Sequence, residues 1–164
     1  MYRLFEKKYF CILFIFLVSF IPRAVCALLM YPVNTPVDEV STLSMASYLA
    51  GYDWSDVVSN AGFYYGFGYA IIFTPLFKIT SNPFIIYRII LITAAFIFAI
   101  IAPVCYHLLD EYLNVSNKTF KITVSIICSY YTCGQLGPYA INETPLYLLI
   151  WLITLNLFKL ITTD

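Results

Sequence analysis

From Tyr9 to Met30 the chain is apolar except at Ser19, Pro22 and Arg23, and Arg3, Lys7 and Lys8 stand just ahead of it. As a helix, this run is about 33 Å long, enough to cross a bilayer core. Arg23 falls near the far end, where its long side chain is expected to snorkel to the interface. A signal peptide cut near Ala24-Val25-Cys26-Ala27 is the competing reading, disfavoured by the length of the run and by the apolar segments that follow.

The stretch from Tyr31 to Gly62 changes character: it carries Asp38, Glu39, Asp53 and Asp56 and no Lys or Arg. Thr35-Pro36-Val37-Asp38 reads as a helix start, with Thr35 as the cap, proline at the first position and a carboxylate at the third. The helix is expected to end near Ala50, with Gly51 as its stop. Val40, Leu43, Ala46 and Leu49 supply an apolar stripe, with Ser41, Ser44 and Ser47 between them, as in a helix lying along a membrane surface. Phe63–Ile79 is apolar but broken by Gly66, Gly68 and Pro75, so it reads as a short span or as a second interfacial helix. Ser81-Asn82-Pro83 is a turn. Phe84–Leu109 is a long span with Arg88 one turn inside it, and Asp110–Asn117 is a polar connector. A further span over Lys118–Leu136 ends at Gly137-Pro138. The link Asn142-Glu143-Thr144-Pro145 leads to the last, Leu146–Ile161, with Lys159 near its end. The pattern predicts an all-α membrane protein, a single module with spans at 9–30, 84–109, 118–136 and 146–161. One or two interfacial amphipathic helices occupy the outer loop 31–83.

Composition agrees with this reading and narrows it. Of 164 residues, 62% are apolar and 11% charged, against about 25% charged in soluble domains. The formal net charge is zero and the mean hydropathy is +0.84. A disordered chain, a basic nucleic-acid binder and an ordinary soluble enzyme are excluded. Aromatic residues at 19% suit interfacial belts. Cys11, Cys26, Cys105, Cys128 and Cys133 contain no CxxC pair and read as small buried hydrophobes. Charge also sets the topology. If Phe63–Ile79 does not cross, Arg3, Lys7, Lys8, Lys118, Lys121 and Lys159 share one side, as the positive-inside rule requires. Asp38, Glu39 and Glu143 then lie together on the outer side.

Those acids are the candidate chemistry. Asp38 and Glu39 sit at a helix N-terminus, where the dipole favours them as caps; the functional alternative is a general base or a ligand for a divalent metal. Glu143 is either a comfortable N-terminal acid or a group held at a cleft. Arg88 either snorkels or pairs with Glu143, or else holds a lipid phosphate. Tyr64-Tyr65-Gly66-Phe67-Gly68-Tyr69 reads as an aromatic belt or, alternatively, a sugar-stacking platform. His107 reads as an interface residue, and Asp53, Trp54 and Asp56 as a solvated turn.

The order of these features resembles the N-terminal part of the GT-C superfamily of membrane glycosyltransferases, in the branch that uses polyprenyl-phosphate sugars and includes protein mannosyltransferases and lipid A aminoarabinose transferases. The stretches that carry the likeness are Pro36-Val37-Asp38-Glu39, Leu49-Ala50-Gly51-Tyr52-Asp53-Trp54, Tyr64–Tyr69 leading into Leu76-Phe77-Lys78, Tyr87-Arg88, and Asn142–Tyr147. They cover nearly the whole chain; their order and spacing, rather than any single motif, make the match. The resemblance implies a partial GT-C fold in a bacterial plasma membrane, first loop outside. It implies transfer from a polyprenyl-phosphate donor to an extracytoplasmic acceptor by single inverting displacement. Asp38 matches the family's acidic residue in the first outer loop, with Glu39 beside it, and Glu143 the second acidic position. Arg88, Tyr64 and Tyr65 fall where substrate would bind. The resemblance fixes no cofactor; a divalent metal is the one candidate. Two departures stand out: Tyr65-Gly66-Phe67-Gly68 replaces paired prolines, and family members are considerably longer, so the chain is expected to be an N-terminal portion of a longer protein. A non-catalytic multi-pass membrane protein or assembly subunit is the alternative that length suggests.

Overall fold

The computed structural model describes residues 2–29, 37–53, 68–132 and 143–163. They form α1 (Tyr2–Leu29), α2 (Val37–Leu49), α3 (Gly68–Ile79), α4 (Pro83–His107), α5 (Lys118–Thr132) and α6 (Glu143–Thr163), with no strand among them. Three stretches are long and apolar enough to cross a membrane, Lys8–Leu29, Pro83–Tyr112 and Glu143–Thr162. The described part of α5 has 15 residues, about 22 Å of helix, alongside them. The architecture is that of an all-α membrane protein.

α4 is the hub. Its start is fixed by Asn82, whose side-chain oxygen accepts from the Phe84 N–H at 3.0 Å, with Pro83 in the first turn. It packs against α1, α5 and α6 and buries a broad face from Ile86 to Tyr106, leaving Ile89 and Phe96 exposed on the other. α1 meets it along a stripe repeating every fourth residue, Cys11, Ile15, Ser19, Arg23 and Ala27. Phe96 of α4 packs edge-on against Phe16 and Phe20 at 5.5 and 6.1 Å. α5 buries Lys121, Ser125 and Ser129, again four apart. Small side chains in both stripes let helices approach closely where lipid gives no hydrophobic drive to associate. α6 is the least enclosed; it touches α4 through Tyr147 and Phe98, 6.0 Å apart, and α5 through a 3.0 Å hydrogen bond from Trp151 Nε1 to Thr132 Oγ1.

α2 and α3 pack together over the start of α4. Met45, Ala46, Tyr69, Ala70, Phe73, Ile86, Tyr87, Ile90 and Leu91 form a core there with Ala27 of α1. Gly51 ends α2 as the sequence predicts: at φ 99 it is left-handed, and the Tyr52 N–H reaches back to the Ser47 carbonyl at 3.2 Å. The Tyr52 hydroxyl donates to the Phe77 carbonyl at 3.1 Å and ties that turn to α3.

Three expectations need correction. Arg23 does not snorkel; at 1% exposure it is enclosed by α1, α4 and α5. α2 is not a surface helix with one apolar stripe, because Glu39, Ser41, Thr42, Ser44 and Ser47 are buried with Met45 and Ala46 while Leu49 is exposed. A serine can be buried this way when its hydroxyl bonds within the helix, as Ser44 does to the Ser41 carbonyl at 3.1 Å. Of the Phe63–Ile79 segment, read as a short span or an interfacial helix, residues 63–67 lie outside the described residues, and the described part, α3, has 12 residues, about 18 Å, short of a span. Last, the first residues of the predicted connector, Asp110 to Tyr112, belong instead to a π-helical continuation of α4 over Leu108–Tyr112. The connector proper turns at Asn114, whose φ of 48 is a left-handed value asparagine tolerates. Asn117 then caps α5 by accepting from the Phe120 N–H at 3.1 Å.

Candidate functional site

One end of the bundle gathers α2, α3 and the first turns of α4 and α6. Glu39, in the first turn of α2, is fully buried, and the Tyr87 hydroxyl of α4 donates to its Oε2 at 2.8 Å. That bond joins the helix carrying the adjacent acids to the hub. A hydrogen bond of this kind offsets part of the cost of burying the acid. Tyr69 of α3 is 3% exposed and shares the core with Tyr87. Its hydroxyl lies by Thr144 at the start of α6, without a hydrogen bond of good geometry. Burial pushes the Tyr69 phenol well above its ordinary range, and the Thr144 hydroxyl pulls it back in part. Thr144 is fully buried, and its neighbour Glu143 is half-buried with an Oε2 that is enclosed and accepts no hydrogen bond. Glu39 with Tyr87 and Tyr69 with Thr144 are thus two separate polar contacts at the end of the bundle where α2, α3, the start of α4 and the N-terminus of α6 meet.

The other candidates are placed as follows. Asp38 is the second residue of α2, and its side chain lies outside the described residues. Arg88 follows Tyr87 on α4, is exposed, and makes no ion pair among the described residues, so it does not pair with Glu143. Tyr64 and Tyr65, with Trp54 and Asp56, lie outside the described residues. His107 is half-buried at the opposite end, its ring edge-on to Tyr112 at 5.9 Å. Among the described residues no three His, Cys, Asp or Glu side chains converge to hold a metal.

Arg23 is the residue that sequence reasoning misplaced. Its guanidinium donates to the Ser19 carbonyl at 2.8 Å, to Ser129 Oγ at 3.2 Å and to the Ser129 carbonyl at 2.8 Å. It lies 4.0 Å from the Tyr130 ring centroid, a close cation–π contact. Its Nε has no hydrogen-bond partner. The clue was available: Arg23 continues the four-residue spacing of Cys11, Ile15, Ser19 and Ala27 and so lies on the bundle-facing stripe.

At the opposite end, Lys8 of α1 pairs with Asp110 at 3.1 Å and also with Glu111, while Lys121 of α5 pairs with Asp110. The Lys121 ammonium lies 5.6 Å from the Tyr106 ring centroid. The π turn delivers both acids to this cluster. Together the helices and their two polar ends define a helical membrane protein with one charge-paired end and one acid-bearing end. No family model, curated protein or solved structure matches the chain.

Proposed function

We propose that the chain is the acid-bearing portion of a membrane glycosyltransferase that takes a sugar from a polyprenyl-phosphate donor. One observation supports this reading above the others: Glu39 and Glu143, far apart in sequence, lie at the same end of the bundle, the first held by Tyr87 of α4 and the second beside Thr144, which neighbours the Tyr69 hydroxyl of the same core. In this reading the Lys8 end faces the cytoplasm, by the positive-inside rule, and the acids face outward in a bacterial plasma membrane. Asp38 takes the proton of the acceptor hydroxyl as its oxygen bonds to the anomeric carbon. The bond from that carbon to the donor phosphate oxygen breaks, and the polyprenyl phosphate leaves with the electron pair and needs no acid. Inversion follows from the single displacement. Glu39, enclosed and held by Tyr87, acts as a positioning residue that fixes α2. Glu143 faces the same cleft, Arg88 is offered to the donor phosphate, and Tyr64 and Tyr65 to the sugar.

The test uses membranes holding the full chain and a labelled polyprenyl-phosphate sugar. Asp38→Asn should lower transfer by about 10²-fold or more, Glu143→Gln should lower it too, and Arg88→Gln should raise the donor KM with little change in kcat. Unchanged turnover in Asp38→Asn removes its role. Separately, Asp38→Cys and Glu143→Cys should both react with an impermeant maleimide from the outer side; reaction from opposite sides removes the cleft. The full burial of Glu39 equally suits a non-catalytic membrane subunit in which the acid only pins α2. Absence of transfer by the wild-type chain favours that reading.

A further inference from the structure

α6 presents a seam that no other described residue covers. Leu146, Leu149, Ile153, Asn156 and Leu160 recur at alternating spacings of three and four, the repeat of a coiled-coil interface. The four apolar members are each more than half exposed, and Asn156 is exposed among them. Asn156 is the anomaly. Its position is about 20 Å along α6 from Glu143, inside the stretch long enough to span a bilayer. The nearby threonines satisfy their hydroxyls on their own helix, Thr154 to the Ile150 carbonyl at 2.9 Å and Thr162 to the Phe158 carbonyl at 2.9 Å. Asn156 does so with one amide hydrogen only, to the Leu152 carbonyl at 2.8 Å. A second amide hydrogen and the Oδ1 acceptor make no hydrogen bond among the described residues, and hydrocarbon offers neither donor nor acceptor.

We infer that α6 is the contact of a parallel two-fold dimer, in which Asn156 of each copy hydrogen-bonds Asn156 of the other. The occupant is a second copy because the amide is self-complementary: across a two-fold axis along the membrane normal, both side chains lie at one depth, and each Nδ2 meets the other Oδ1. Lipid matches the leucines but not the amide. The five seam side chains offer roughly 500 Å² per copy, so about 1,000 Å² in all, near the lower bound for a specific protein contact. A single polar residue in an apolar heptad seam also fixes register. This inference is independent of the proposed chemistry.

The test is energy transfer between donor- and acceptor-labelled full-length chains in phosphatidylcholine vesicles over a series of protein-to-lipid ratios. Wild type should show transfer above the level of random proximity. Asn156→Leu should raise the half-maximal ratio by about threefold to tenfold, and Asn156→Gln, which keeps the donor and acceptor, should stay near wild type. The Leu149→Trp, Ile153→Trp double variant should abolish transfer by blocking close approach. Transfer no greater than random in the wild type, or unaltered in both Asn156→Leu and the double tryptophan variant, overturns the dimer and leaves the seam to lipid.

Discussion

At the end of the bundle that carries Lys8, two cations and two carboxylates are drawn together: Lys8 and Lys121 share Asp110, and Glu111 completes the set. At the other end the polar groups are held differently. Glu39 is held by a tyrosine hydroxyl, Glu143 keeps an enclosed oxygen with no hydrogen-bond donor, and Arg88 is exposed beyond both. The first arrangement spends its charges on one another and fastens α1, α4 and α5. The second leaves an enclosed Glu143 oxygen and the Arg88 guanidinium without a partner among the described residues. Charges that are already paired contribute to holding helices together, whereas uncommitted ones can meet a substrate. That contrast, more than the number of acids at either end, directs attention to the Glu39 end.

Breaking the paired end should have the largest effect. Asp110→Ala leaves Lys121, 9% exposed, without its carboxylate. The expected loss is about 3 kcal/mol, read as a shift in SDS-induced unfolding of the bilayer-reconstituted protein. Adding Lys121→Met should recover much of it, because the uncompensated cation rather than the missing bond dominates. A double variant no more stable than the single one would show that Asp110 acts through Lys8 instead. Next in size is Tyr87→Phe, which strips the 2.8 Å donor from a fully buried carboxylate. About 2 kcal/mol is expected in the same assay. Glu39→Gln, still able to accept from Tyr87, should cost less; abolished sugar transfer in a Glu39→Gln protein of wild-type stability would make Glu39 a reacting group rather than a positioning one.

How much of this was legible in the sequence depends on what each feature required. The long helices follow from uninterrupted apolar runs, and Gly51, Asn82 and Pro83 mark their boundaries through local backbone chemistry that needs no tertiary partner. α2 was legible as a helix but not in its burial, because hydrophobic periodicity assumes that serine and glutamate face water. Here Ser44 bonds to its own helix and Glu39 to Tyr87, so both can be enclosed. Arg23 was misread for a related reason: the composition of its run suggested an interface, and only the register with Ser19 and Ala27 points inward. The pairing of Glu39 with Tyr87 joins positions 48 residues apart, which no local pattern encodes.

A smaller effect is expected where the paired and uncommitted regions adjoin, at Ser129. Its hydroxyl donates to the Phe98 carbonyl at 2.9 Å and accepts from Arg23. Ser129→Ala loses both, for about 1 kcal/mol, again in the unfolding assay; the Ser129 carbonyl still receives an Arg23 N–H at 2.8 Å, which limits the damage. A loss as large as that of Asp110→Ala would mean that the hydroxyl, not the carbonyls, holds the buried guanidinium.

The smallest effect is expected at Lys8, although it makes two of the three ion pairs at its end. The Lys8 side chain is 36% exposed and that of Glu111 45%, so water competes with both pairings and ordering two long side chains takes back much of the gain. Lys8→Met should cost no more than about 0.5 kcal/mol, and the difference from wild type should shrink further as ionic strength rises. Asp110 retains Lys121 in this variant, so no buried charge is stranded, which is the physical distinction from Asp110→Ala. If Lys8→Met instead destabilised the protein as much as Asp110→Ala, with no dependence on salt, the ion pairs at this end would have to be dry. The contrast between a charge-paired fastening and an uncommitted acidic end would then be one of solvent access rather than of pairing.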